Sequence, residues 1–175
     1  FAEFHAKNIS LTKQAIKASV NEDQLIIQTI VNITELDKIS NSLVKRLREW
    51  YALYCPEPTE LIESHEQFVQ LVLEEPKDKI LSQLNITETM GADLDKKHVE
   101  EMLRLAAEVK NLYALRAQYE QYLTMVMKEY CPNILELAGV TIGARLLELG
   151  RSLKHLALLP ASTIQLFGAE KALFR

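Results

Sequence analysis

The sequence predicts an all-α protein, in which a long antiparallel two-helix coiled-coil arm with a small helical tip is followed by a compact helical domain. Two observations carry this prediction. Glycine and proline are rare, with 5 of each among 175 residues, so helices are seldom interrupted. Apolar residues also recur at steps of three and four, the helical period, along two long stretches. All-β folds, which need many turns, are disfavoured.

Composition narrows the class of protein further. The chain is 48% hydrophobic and 25% charged, which are ordinary values for a globular protein and exclude wholesale disorder. No apolar run approaches the ~20 residues that a membrane helix needs. The net charge of −4 is uneven, because residues 1–90 sum to −5 and residues 132–175 to +2. A basic end after an acidic body leaves RNA or DNA open as a ligand of the C-terminal part.

The first long helix is predicted from about residue 22 to 54, after a helical lead-in over residues 1–20. The cap and first-turn acids are Asn21, Glu22 and Asp23. Proline disfavours helix at the residue before it, so Pro56 ends the segment. The apolar stripe consists of Ile27, Ile30, Ile33, Leu36, Ile39, Leu43, Leu47, Trp50 and Tyr54.

The second long helix is predicted from about residue 95 to 130 and ends before Pro132. Its stripe is Val99, Met102, Ala106, Val109, Leu112, Leu115, Tyr119, Leu123, Val126 and Tyr130. Two helices of matching length with one stripe each should pack antiparallel, which makes residues 21–131 one arm. The insertion of about residues 55–92, with a short helix over 60–73, is then expected at the tip of the arm. Cys55 and Cys131 should lie at opposite ends and stay reduced.

The last part, residues 132–175, differs from the arm in its glycine content and in the length of its predicted helices. It holds four of the five glycines, and helical pieces are predicted over 133–138, 141–149, 151–158 and 161–174. This pattern indicates the start of a compact helical domain that is truncated. Both ends of the sequence look like cuts, so we expect a fragment of a longer protein.

No catalytic motif is found in the sequence. Nucleotide-binding glycine motifs, metal-binding histidine pairs and C-x-x-C are missing. Ser64, His65 and Glu66 are consecutive, so on a helix their side chains diverge and form no triad. We therefore expect no enzyme activity, no metal site and no cofactor.

The C-terminal segment offers two interpretations. Gly168 inside a helical pattern marks either a helix junction or a close backbone approach to a ligand. Lys171 and Arg175 are four residues apart on one helix face, where they either contact phosphate or form a solvated face. Spacing alone favours the structural interpretation, in which Gly168 is a helix junction and Lys171 and Arg175 form a solvated face.

Several motifs occur together and in order. Asn41, Arg46 to Tyr51 and Cys55 to Glu57 resemble the pattern N…RLREWY…FPE, and Cys131 to Asn133 resembles APN. Gly143 to Leu146 and Leu149 to Leu153 resemble GARLI and AGSL, while Pro160 to Gln165 and Gly168 to Arg175 match PASTIQ and GAEKALFR. On these motifs the chain resembles the archaeal and nucleolar Nop proteins of box C/D ribonucleoproteins. It departs from them at Leu53–Cys55, where His-Phe is usual, and at Arg151, where a glycine or small residue is usual.

The resemblance implies a non-catalytic scaffold for RNA 2′-O-methylation and rRNA processing. The implied partners are a second copy through the arm, fibrillarin through a domain outside this sequence, the kink-turn-binding ribosomal-protein-like factor and box C/D guide RNA. S-adenosylmethionine would belong to fibrillarin. The implied RNA- and protein-binding residues are Gly168, Ala169, Glu170, Lys171, Phe174 and Arg175. The location would be cytoplasmic in an archaeon and nucleolar in a eukaryote.

The arm carries a second set of expectations. The tip residues expected to mediate self-association are Leu61, Phe68, Leu71, Ile80, Leu81 and Leu84, because so much apolar surface exceeds what one hairpin end can hide. The alternative function is a structural coiled-coil dimerisation module without RNA contact. Residues 168–175 discriminate between the two, since a plain dimerisation module has no need for a glycine before a basic helix face.

Overall fold

The computed structural model describes residues 1–169, and within them the chain is all-α, as predicted. The helices are α1 (Ala2–Ser19), α2 (Glu22–Tyr51), α3 (Glu57–Leu61), α4 (His65–Glu74), α5 (Lys77–Gln83), α6 (Lys96–Tyr130), α7 (Pro132–Gly150), α8 (Leu153–Leu158) and α9 (Ala161–Leu166). In this part of the chain, none of the helices combines the length and the apolar character needed to cross a bilayer.

The chain divides into two compact units, and both boundaries fall inside long helices. One unit comprises residues 33–119, and the other comprises residues 1–32 together with the chain from residue 120 onward. Helices α2 and α6 therefore each contribute to both units. The predicted division into lead-in, arm and C-terminal domain stays a prediction.

The unit of residues 33–119 has one hydrophobic core, built by α2, α4 and α6. Its buried members are Val44, Leu47, Tyr51, Cys55, Phe68, Val69, Val72, Met102, Ala106 and Val109. Within this unit α2 and α6 run antiparallel, as predicted. Arg116 of α6 donates a hydrogen bond to the Asp37 carboxylate of α2 at 2.6 Å. Trp50 lies thirteen residues further along α2, and its neighbour Leu105 lies earlier on α6, so the two helices run in opposite directions.

The apolar stripe predicted for α2 is partly wrong. The line that faces the core includes Ser40, which is 2% exposed, and Val44 and Tyr51, whereas Ile39 is 48% and Trp50 39% exposed. Two apolar lines run along this helix, and the buried one contains a serine. The period of the pattern therefore could not tell which line faces the core. The helix also ends at Tyr51, three residues before the predicted end.

The insertion between the long helices folds back along them, and is not confined to their end. Val69 of α4 and Ala117 of α6 line the same small cavity, and Ala117 lies about six turns into α6. Arg48 of α2 fastens this insertion. Its guanidinium donates hydrogen bonds to four backbone carbonyls and lies 4.5 Å from the centre of the Phe68 ring. The segment thus packs against both long helices, and its assignment as a tip insertion of the arm stays a prediction.

A second cluster of polar contacts fixes the path of the segment that connects α5 to α6. The Glu57 carboxylate accepts hydrogen bonds from the Thr89 hydroxyl and the Met90 amide, both at 2.9 Å. Gly91 then passes so close to the Tyr54 carbonyl that a β-carbon would overlap it. These contacts explain why a segment without helical structure, around residues 85–95, has a defined path.

The second unit is organised around a buried carboxylate. Asp23, 3% exposed, accepts a hydrogen bond from the Leu153 amide at 3.0 Å and is bonded by the Tyr130 hydroxyl. Burial, and then the charge of Asp23, raise the pKa of Tyr130. Asp23 thereby joins the first turn of α2, the last turn of α6 and the N-terminus of α8.

Glycines mark two of the helix breaks in this unit. Gly139, with φ 73°, kinks α7 between the predicted segments 133–138 and 141–149. The last predicted segment, 161–174, is interrupted near Gly168, and its residues beyond 169 lie outside the described part of the chain. Helix α9 stops at Leu166 and is followed by Gly168 with φ 79°, a left-handed conformation that closes a helix.

Candidate nucleic-acid and protein interfaces

The predicted recognition edge begins at the end of α9. Gly168 has φ 79°, and Ala169 donates a backbone hydrogen bond to the Leu166 carbonyl at 3.0 Å. A β-carbon on Gly168 would meet no protein atom within 4 Å. The glycine is therefore required here by its backbone conformation. The other predicted members, Glu170, Lys171, Phe174 and Arg175, lie outside the described residues, and their roles stay predictions.

An apolar cavity lies directly beside this edge. Its volume is about 230 Å³, and its lining residues are Thr141, Ile142, Arg145, Leu146, Leu149, Phe167 and Gly168. Ile142 is 64% exposed, so the cavity opens to solvent. The edge thus combines a glycine in a left-handed conformation with an apolar recess on α7.

Three basic residues lie in this part of the sequence, and one of them, Arg145, lines the cavity. Arg145 is about half exposed and lies 3.9 Å from Glu148, while Arg151 and Lys154 are exposed. Residues 149–169 contain no aspartate or glutamate. The sequence reasoning counted the positive charge of this region but did not assign these three residues to a site. The missed signal was the acid-free run after Glu148.

Arg151 occupies an unusual backbone position. It caps α7 with φ 64°, in the left-handed region that favours glycine. The resemblance noted above expects a glycine or small residue at this point. The structure gives the physical reason for that preference and shows that this chain places a cation there instead.

The residues predicted for self-association fall into two groups. Leu61 is 60% exposed, and Leu71, Leu81 and Leu84 are half-buried. Phe68 and Ile80 are fully buried inside the unit of residues 33–119. These two side chains stabilise the unit itself and present no surface to a second copy, while the predicted self-association stays a prediction.

A different set of apolar residues was not predicted as a surface, because its three members on α2 were assigned to the helix stripe that should pack inward. Ile39, Leu43 and Trp50 share one face of α2, and Leu53 follows in the turn beyond the helix; we call these four residues the outer stripe. Leu53 is 62% exposed, and Trp50 borders a shallow depression with Leu105 of α6. Periodicity alone could not separate these exposed side chains from the core, and Leu43, between them on the helix, still packs against it.

The polar groups that could suggest catalysis have structural roles. The Ser64 hydroxyl accepts a hydrogen bond from the Gln67 amide and caps α4. Burial lowers the pKa of the neighbouring His65, and the charges of Arg48 and Lys45 lower it further. Among the residues that the structure describes, no cluster of three potential metal ligands occurs.

Both cysteines are buried and free, in different units. The Cys55 thiol donates to the Glu57 carboxylate at 3.3 Å, and burial, with this carboxylate, raises its pKa to about 11. Burial also raises the pKa of Cys131. Thiols in such surroundings remain protonated and unreactive near neutral pH.

Comparison with known proteins connects these surfaces to a family. Residues 32–175 match the Nop family model, described as "snoRNA binding domain, fibrillarin". The chain is 38% identical to an uncharacterized NOP5 family protein of Methanocaldococcus jannaschii, over 98% of this chain and 46% of that protein. It is 36% identical to nucleolar protein 56 of Dictyostelium discoideum, over 95% of this chain and 35% of the relative. It is 35% identical to nucleolar protein 58 of Schizosaccharomyces pombe, over 95% of this chain and 36% of that protein.

These matches cover both compact units, and the chain spans less than half the length of the relatives. The motifs that first suggested the resemblance lie within the matched range. This chain belongs to the Nop family.

Proposed function

We propose that this chain is part of a non-catalytic scaffold of the box C/D ribonucleoprotein that directs RNA 2′-O-methylation. In this role it self-associates through its helical arm and bridges fibrillarin to a kink-turn RNA and the protein bound to that RNA. The observation that carries the proposal is the Nop family match over residues 32–175, whose description names snoRNA binding and fibrillarin. The nucleolar names of the eukaryotic relatives support it.

The recognition edge is proposed to run from Gly168 to Arg175. Gly168 would allow a ligand to approach the backbone closely, while Lys171 and Arg175 would contact phosphates. Glu170 would orient a neighbouring basic group, and Phe174 would contact the RNA-bound protein. The acid-free surroundings support an anionic ligand, because residues 149–169 carry cations but no carboxylate.

The test uses the full-length protein and a kink-turn RNA carrying its bound protein. Lys171→Ala should weaken assembly by about 1–2 kcal/mol and reduce the slope of log affinity against log salt by about one. Arg46→Ala is the matched control, because Arg46 is an exposed cation paired with Glu49 in the other unit. If the Lys171→Ala, Arg175→Ala double variant assembles with wild-type affinity and salt slope, the alternative function without RNA contact is favoured.

Self-association is proposed to use exposed apolar residues of the arm. Phe68 and Ile80 are buried, so the proposed surface consists of Leu61, Leu71, Leu81 and Leu84 together with the outer stripe. Trp50 and Leu53 supply the larger exposed side chains, and large aromatic side chains dominate interface energies.

Sedimentation of the wild-type chain at tens of micromolar should reveal a dimer. Trp50→Ser with Leu53→Ser should weaken this dimer by about tenfold or more, which corresponds to about 1.4 kcal/mol. Ile142→Ser is the control, because Ile142 is equally exposed but belongs to the other unit. A wild-type chain that sediments strictly as a monomer counts against the proposed self-association.

A further inference from the structure

Helix α1 is amphipathic, and no part of the chain within residues 1–169 buries its apolar side. It has 18 residues, none of them buried, and Phe4, Leu11 and Ile16 are each more than half exposed. At 100° per residue these three, with Ile9, occupy one half of the helix, whereas Lys7, Lys13 and Lys17 occupy the other. Such a helix is the form in which one protein offers a binding segment to a groove on another.

The charge of α1 restricts which groove it fits. Residues 4–21 contain three lysines and no aspartate or glutamate. Lys13 and Lys17 are one turn apart, so both face the same side of the helix. A surface that accepts α1 should therefore combine an apolar floor with an acidic margin.

Such a surface exists on the same chain, in the unit of residues 33–119. Residues 57–76 contain six glutamates and no lysine or arginine. Next to them, between α4 and α6, lies a cavity of about 240 Å³, lined by Glu66, Val69, Gln70, Lys110, Tyr113, Ala114 and Ala117. The alanines, one turn apart on α6, give a low floor on which another helix can approach closely.

Lys110, which also lines this groove, does not make the groove basic. The Lys110 ammonium lies 3.7 Å from the Glu74 carboxylate, so its charge is matched within the unit. Glu66 is exposed in the lining of the groove, and Glu63, also exposed, precedes it by three residues just before the start of α4. The groove is thus apolar at its floor and acidic at its edge.

We propose that α1 of one copy binds in the groove between α4 and α6 of a second copy, with Lys13 and Lys17 facing Glu63 and Glu66. The apolar half of α1 would cover the alanine floor. A nucleic acid would contact the lysines of α1 through its phosphates but would leave this apolar half exposed. The two surfaces complement each other in apolar character and in sign of charge. This contact is distinct from the outer stripe and would be a second route to the proposed self-association.

Two charge-reversed chains test the contact. One carries Lys13→Glu and Lys17→Glu, and the other carries Glu63→Lys and Glu66→Lys; all four positions are exposed, so both variants should fold. Every chain also carries Trp50→Ser and Leu53→Ser, which removes the outer stripe as another route to association. Sedimentation velocity then measures association of each chain alone and of the equimolar mixture.

Each reversed chain alone should associate about tenfold more weakly than its parent, because both contacts become repulsive. The mixture should return to within about threefold of the parent, since each reversed helix then meets an oppositely charged groove. Lys38→Glu, at an exposed site outside both surfaces, should leave association unchanged.

Two outcomes overturn the proposal. One is a mixture that associates no better than the separate variants. The other is a Lys13→Glu, Lys17→Glu chain that associates like its parent, and if that chain also loses affinity for RNA, α1 is a nucleic-acid contact. Neither outcome bears on the scaffold function, whose test uses residues 171 and 175.

Discussion

Replacing Arg48 by alanine should weaken the unit of residues 33–119 more than any exposed substitution on the same helix. The Arg48 guanidinium donates to the carbonyls of Thr59 at 2.8 Å and Ile62 at 2.7 Å, and more weakly to those of Glu63 and Ser64. These bonds hold the end of α3 and the start of α4 against α2. Alanine removes all of them at once.

The expected magnitude follows from the two short bonds. A hydrogen bond from a charged donor contributes about 1.5–3 kcal/mol net, and partly exposed carbonyls can regain water, so the lower value applies to each. The contact of the guanidinium with the Phe68 ring adds about 0.5 kcal/mol. We therefore expect Arg48→Ala to lower the free energy of unfolding by about 3–3.5 kcal/mol. Arg48→Lys should lose about half of that, because one ammonium cannot span the same set of carbonyls.

Urea unfolding followed by tryptophan fluorescence is the direct assay. Trp50 is the only tryptophan of the chain and lies in this unit, so its signal reports this unit alone. With a slope of about 2 kcal/mol per molar urea, the midpoint should fall by about 1.5 M. The control is Arg46→Ala, whose ion pair with Glu49 is 76% and 67% exposed and should contribute little. If both variants have the same midpoint, Arg48 does not fasten the insertion.

Three further predictions concern backbone and pH. Gly91→Ala should destabilise the same unit by about 3 kcal/mol, because the new methyl overlaps the Tyr54 carbonyl; a wild-type urea midpoint would contradict that close approach. Arg151→Gly should raise the free energy of unfolding by about 0.5 kcal/mol in calorimetry, because φ 64° suits glycine, whereas Arg151→Ala keeps the strain and should bring no gain. The pKa of Cys55, about 11 when folded, lies above its ordinary value near 9. The unfolded chain therefore loses this proton first, so stability should fall as pH rises from about 9 to 11, and Cys55→Ala should flatten that slope in urea titrations.

The element order and several boundaries could be predicted from the sequence. Long segments free of glycine and proline predicted α2 and α6, and Gly139 predicted the kink in α7. These features depend on local backbone preferences, which a sequence displays directly. The antiparallel pairing of the two long helices followed from their matching lengths, and it is confirmed within the unit of residues 33–119.

The choice of core line on α2 could not be predicted in the same way. Ile39 and Trp50 look more like core residues than Ser40 does, yet Ser40 is buried. Which line faces inward is decided by where α4 packs, and that contact joins residues far apart in sequence. The same long-range packing buries Phe68 and Ile80, which removes them from the predicted surface.

The RLREWY motif shows what the structure adds to a resemblance. Leu47 and Tyr51 are buried in the core, Arg48 fastens α3 and α4, and Trp50 remains on the outer stripe. Six adjacent residues thus serve packing, a polar clamp and an exposed surface, on three sides of one helix. Because only the exposed side can meet a partner, substitutions at Trp50 should separate assembly from folding, whereas substitutions at Arg48 or Tyr51 cannot. An assembly defect caused by an Arg48 variant would therefore say nothing about the partner surface until folding had been measured.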